Sequence, residues 1–163
     1  MNRRSILIMD TGPIWELVLY RAVKELGFTS LRRNLTYFVS PEAYENCGSF
    51  LSSFKRKTTS ASVVAELYNF IRGTLPTGQR QLWKQVYEEF ENMDMDEDVV
   101  RLLGMDAELV TKYGPTDVSL LEIARRNLTQ RPVILTLDNP FHAECKKAQI
   151  SAELLIEVCN PII

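Results

Sequence analysis

The chain has 163 residues, 45% of them hydrophobic and 25% charged, with a formal net charge of −2 at pH 7. These values fit a single globular domain over 1–163, long enough to bury a core without disulfide or metal staples. They exclude a fibrous or low-complexity chain and carry no whole-chain signature of nucleic-acid binding, while leaving local basic patches open.

The opening "MNRRSILIMD" is basic and then apolar, but the apolar run Ile6–Met9 is too short for a signal-peptide core or a membrane span. The expectation is a cytoplasmic protein with no membrane contact. That run, stopping on Asp10-Thr11-Gly12-Pro13, reads as a strand buried on both faces and followed by a tight turn. Pro13 suits the first turn of a helix. Ile14, Leu17, Val18, Ala22 and Leu26 carry that helix at 3.6-residue spacing until Gly27 stops it.

A second short strand is expected at 34–40, then a short helix from Pro41 running into the basic stretch Lys55-Arg56-Lys57. The segment 58–73 reads as a helix capped by Thr59 or Ser60, with Val63, Val64, Leu67, Phe70 and Ile71 as its stripe. A turn at 74–79 leads to an amphipathic helix at 80–93 and then an acidic turn, "DMDEDVVRLLGMD". Helices follow at 107–114 and 117–128, a buried strand at 131–138, a short helix after it, and a closing strand at 154–158. Strands alternating with helices imply an α/β fold with a mostly parallel central sheet covered on both faces. Cys47, Cys145 and Cys159 are odd in number and lack metal-ligand spacing, so they read as free buried thiols.

Open α/β sheets bind ligands beyond the carboxyl ends of their strands. Asp10 and Asp138 each follow an apolar run at such an end, as site residues or as turn and helix N-cap residues. Glu66 lies on the flank of its helix beside Ser62 and Asn69, either a solvated edge residue or the lining of a polar cleft. Asp117 shares a face with Leu120, Leu121 and Ala124, which points it inward. It also reads as an N-cap, with Ser119 and Glu122 as a capping box.

The order and context of these acids resemble the PIN domain family of metal-dependent nucleases. "ILIMDTGPIWELV" looks like that family's opening strand and Asp-Thr turn, and "TSASVVAELYNFIR" like the helix carrying its glutamate. "YGPTDVSLLEIARR" is similar to the segment with the third acid, and "VILTLDNPF" to the strand delivering the fourth; Asn139-Pro140 departs from the charged, longer turn common there.

The resemblance implies a three-layer α/β/α fold and a metal-dependent endoribonuclease. Asp10, Glu66, Asp117 and Asp138 would be catalytic, with Asp10, Asp117 and Asp138 as direct or water-mediated ligands of Mg²⁺ or Mn²⁺. Thr11 and Thr136 would hold the carboxylates. By phosphate electrostatics Arg32, Arg33, Lys55, Arg56 and Lys57 are candidate contacts for the RNA backbone, or else solvated charged loops. His142 reads as a surface or capping residue. An antitoxin-like protein and a homodimer are the partners the family suggests, with a toxin–antitoxin or defence role. The alternatives are a non-catalytic RNA-binding or protein-interaction module and a DNA-directed nuclease of similar fold.

Other motif readings fail on their residues. A lone Asp-Thr-Gly triplet in a helical chain does not make an aspartic protease. Asp94, Asp96 and Asp98 start like a calcium loop, but Val99 and Met105 stand where it needs Gly and Glu. A phosphatase Asp-x-Asp would need an acid at Gly12.

Overall fold

Four residues, Ile6–Met9, form strand β1, every one of them fully buried. The structure is a computed structural model and describes residues 6–35, 38, 40–74 and 79–160. Helix α1 (Thr11–Glu25) starts at once, with Asp10 as its N-cap and Pro13 in its first turn, where no intrahelical partner is needed for a backbone donor. Gly27 (φ 70°) ends it in the left-handed region, as its position predicts. A 3₁₀ turn at Thr29–Asn34 leads toward α2 (Pro41–Ser52), capped by Ser40. Of the strand expected at 34–40, Asn34 instead closes the turn, and residues 36, 37 and 39 lie outside the described residues.

The largest departure from the sequence reading comes next. Residues Arg56–Ser60 form strand β2, and helix α3 (Ala61–Thr74) begins only afterwards. Arg-Lys-Thr-Thr-Ser has no apolar residue to announce a strand, yet Thr58, Thr59 and Ser60 are buried. Their hydroxyls make this tolerable: Thr58 Oγ1 donates to the Asp96 carbonyl (3.2 Å) and Thr59 Oγ1 to the Met9 carbonyl (2.7 Å). Ser60 Oγ accepts from Val63 N (3.3 Å) and so caps α3 as expected. Val63, Leu67 and Ile71 face the core, but Phe70 is 44% exposed and leans on Trp15 instead.

Helix α4 (Gln79–Met93) matches its expected range, while the turn before it lies largely outside the described residues. Asp94, in the left-handed region, then turns the chain into strand β3 (Met95–Asp98). The acidic turn of the sequence reading is thus an edge strand, its identity hidden because three of its four residues are acids. Helix α5 (Ala107–Arg126) is broken at Gly114 (φ 87°, ψ 164°), followed by Pro115. Strand β4 (Pro132–Thr136), helix α6 (Asn139–Lys147), strand β5 (Ser151–Leu154) and helix α7 (Leu155–Cys159) complete the described chain. The closing strand is therefore earlier than 154–158, and most of that segment is helical.

All five strands are parallel, in the order β3-β2-β1-β4-β5. From β1 the chain steps one way to β2 and β3, and from β4 the other way to β5. Right-handed crossovers then put the connecting helices of the two halves on opposite faces, with α7 returning to pack on α2, giving three α/β/α layers. The order reverses between β1 and β4, and in open α/β sheets the ligand crevice lies beyond the carboxyl ends at such a switch point. No described helix is long and apolar enough to cross a membrane.

A candidate active site of four carboxylates

Asp10 leaves β1 at that crevice. Its backbone N still bonds to Leu135 O (3.0 Å), which extends the β1–β4 ladder and fixes the residue at the sheet's carboxyl edge. Its side chain is buried, Oδ1 accepting from Thr11 N (2.6 Å) and Oδ2 from Thr136 Oγ1 (2.6 Å). The Thr136 hydroxyl accepts in turn from Asp138 N (3.0 Å), so one hydroxyl joins the first acid to the last. Asp138 is exposed and caps α6, accepting from Phe141 N (2.7 Å). Each of these aspartates is thus an N-cap, and each stands at the switch point of the sheet.

The approach of β1 and β4 at this edge depends on Gly12. A Cβ there would lie 2.7 Å from Leu137 Cδ1 and 3.2 Å from Leu137 Cβ. Leu137 immediately precedes Asp138, so a bulkier residue at 12 would push the two acid-bearing turns apart.

Glu66, half-buried on α3, is clamped from two sides. Thr11 Oγ1 donates to its Oε2 (2.7 Å) and Thr116 Oγ1 to its Oε1 (2.6 Å). Thr11 adjoins Asp10 and Thr116 adjoins Asp117, so Glu66 is the acceptor that spaces the other two. Asp117 is placed by the break in α5. Gly114 takes the non-helical conformation, Pro115 starts the second segment, and Asp117 falls in its first turn, not at an N-cap. The expected capping box with Glu122 does not form. Ser119 Oγ sits 2.6 Å from the Thr116 carbonyl and 2.7 Å from Ser60 Oγ. A carbonyl can only accept, so Ser119 donates to it and receives the Ser60 proton.

Electrostatically the four acids form one cluster. Burial pushes the Asp10 carboxyl above its usual range, against the lowering effect of its Thr136 and Thr11 donors, and Glu66 and Asp138 push the same way. Burial, followed by repulsion from Asp10, Asp138 and Glu66, raises Asp117 to about 7. Among the described residues no lysine, arginine or histidine bridges any of the four, and no other side chain hydrogen-bonds Asp117.

The donor chemistry fits a hard divalent cation, all oxygen and uncompensated. The arrangement is open, however. Among the described residues no set of three or more Asp, Glu, His or Cys side chains closes into a metal-holding group, so the expected trio Asp10, Asp117 and Asp138 is no ready-made cage.

The basic residues are not brought here. Arg56 pairs in register with Ile6, at the start of the strands, and β2 runs about 13 Å from Arg56 to Ser60. Lys55, Arg56 and Lys57 thus lie toward the opposite edge, where Arg56 pairs with Asp96 (3.1 Å). Arg32 and Arg33 fall in the 3₁₀ turn beyond the far end of α1. His142 is buried, not at the surface, and its Nε2 lies 3.1 Å from the Ala152 carbonyl, a structural contact between α6 and β5. The three thiols are buried and free, each pushed up by burial, Cys47 and Cys145 to about 12 and Cys159 to about 11, which leaves them unreactive.

Sequence reasoning named Thr11 and Thr136 but missed Thr116, and it read Ser60 and Ser119 only as capping residues. Thr116 was findable: it stands beside a candidate acid, as Thr11 does. No protein-family model and no curated protein matches the chain.

Proposed function

We propose that this chain is a divalent-metal-dependent endoribonuclease of the PIN type, acting at Asp10, Glu66, Asp117 and Asp138. The observation that carries this reading is the convergence of four carboxylates at a topological switch point, spaced by threonine hydroxyls and left without a described cation. Like charges gathered at one edge, with Asp10 buried and Glu66 and Asp117 half-buried, repel one another, and a bound cation would offset that repulsion.

Bound Mg²⁺ or Mn²⁺ would neutralise the cluster, activate a water and polarise a substrate phosphate. Asp10, fixed by two donors, and Asp117, free of hydrogen bonds from other described side chains, are the residues to hold it, with Asp138 completing the set at the exposed side. Glu66 has both oxygens engaged by Thr11 and Thr116, which suits it to fix those turns and to accept a water proton through its remaining lone pairs. No serine, cysteine or histidine nucleophile is required. Service as the toxin of a toxin–antitoxin pair or as a defence nuclease, and assembly as a homodimer, rest on the family resemblance alone.

The test is cleavage of end-labelled single-stranded RNA by purified protein with Mg²⁺ or Mn²⁺. Cleavage should stop on chelation and fall at least ~10³-fold in Asp10→Asn. Cleavage that survives Asp10→Asn defeats the proposed site. Mn²⁺ binding without cleavage of RNA supports the non-catalytic module, and preferential cleavage of DNA the DNA-directed nuclease.

A further inference from the structure

At the other side of the sheet, β3 is an edge strand: β2 pairs with one side of it, and no described strand pairs with the other. Beside that free edge lies a groove of about 470 Å³ between β3 and helices α3 and α4. Its floor is apolar, from Trp83, Val86, Phe90 and Met95, and Tyr87 stands over it 64% exposed. The charged residues described along it are all acids: Glu91, Asp94 and Glu97. On the opposite face of the same strand stand Asp96 and Asp98, of which Asp96 alone has a described cation, Arg56. The chain then runs on through Val99, Leu102 and Leu103, exposed at 67, 63 and 101%.

We propose that this edge and groove dock an extended segment of a protein partner, added to the sheet as a sixth strand with alternating apolar and basic side chains. Main-chain bonds to the unpaired side of β3 would supply affinity, and the alternate side chains specificity. Period-two alternation puts one set of residues over the aromatic groove and the other against Asp96 and Asp98. The charges choose the occupant. A second copy pairing edge to edge would set Asp-Glu-Asp against Asp-Glu-Asp, and like charges directly opposite repel. The basic side chains of such a segment meet Asp96 and Asp98 on one face of the strand, of which Asp96 has Arg56 beside it, and Glu91, Asp94 and Glu97 add negative potential along the groove. This surface is separate from the four-carboxylate cluster, and the proposal stands whether or not the chain is a nuclease.

The probe is a capped decapeptide of alternating valine and lysine, titrated into ¹⁵N-labelled protein with backbone shifts and tryptophan fluorescence as readouts. Expected are saturable 1:1 binding, shifts centred on residues 95–98 and on Trp83, and at least tenfold weaker binding for Glu97→Lys/Asp98→Lys. Methylating the peptide's alternate backbone nitrogens should weaken binding as much, a result that needs no protein variant to fold. Reversal of remote exposed acids, Glu45→Lys/Glu108→Lys, should leave binding unchanged. The proposal is overturned by equal binding of a valine–glutamate peptide, by indifference to N-methylation, or by equal loss from the remote reversals. It is overturned too by shifts elsewhere, or by self-association through residues 95–98.

Discussion

The fold treats the buried Glu89 and the four acids at the carboxyl edge of the sheet differently. Glu89 on α4 is 3% exposed, and Arg21 on α1 reaches it with Nη1 at 2.7 Å while its Nε binds Glu25 at 2.9 Å. Burial still raises Glu89 above the usual carboxylate range, but the guanidinium works against that shift. At the carboxyl edge of the sheet, Asp10 and Asp117 are raised as well, and what surrounds them is more negative charge. Buried Glu89 thus has an arginine beside it, whereas the four edge acids have no described cation. At the sheet edge the described donors to the acids are threonine hydroxyls and backbone N–H groups.

Arg21→Met strips Glu89 of its counter-ion and should destabilise the protein by about 2–3 kcal/mol, toward the lower end for a broken buried pair because Arg21 is partly exposed. Thermal unfolding should show a fall of roughly 5–10 °C. Asp117→Asn should do the reverse in metal-free protein at pH 8, raising Tm by a few degrees because a repelled charge is gone. It should also weaken Mn²⁺ binding, measured by calorimetry. A lower Tm for metal-free Asp117→Asn would mean that the cluster is internally satisfied.

The pH dependence has a defined sign. The folded Asp117 holds its proton up to about 7, above the 3.8 of an unperturbed aspartate. The folded state therefore binds more protons than the unfolded one in that window, and its stability falls as pH rises from about 4 to 7. Urea unfolding of metal-free protein should show that decline, and saturating Mg²⁺ should offset it at the upper end. The smallest expected effect is Thr116→Val, which removes one of the two hydroxyls on Glu66. It should cost about 1 kcal/mol and reduce metal-dependent cleavage roughly tenfold, with Thr116→Ser restoring both.

β1, α1, α4, β4 and α6 were legible in the sequence because apolar runs and 3.6-residue spacing report burial directly. So was the set of four acids, each marked by a strand end, a helix flank or a helix start. β2 and β3 were not, since a strand of Arg-Lys-Thr-Thr-Ser or Met-Asp-Glu-Asp lacks the hydrophobic pattern by which strands are recognised. What made them strands was their neighbours: β1 offers β2 a ladder, and β2 offers one to β3. Likewise the sequence determined that Gly114-Pro115 would interrupt a helix near Asp117. Only the packed structure decided that the interruption hands Thr116 to Glu66 and sends the basic triplet to the other end of β2. Local chemistry fixes where a chain can turn, whereas the partner across a crevice depends on strands far apart in sequence meeting in one sheet.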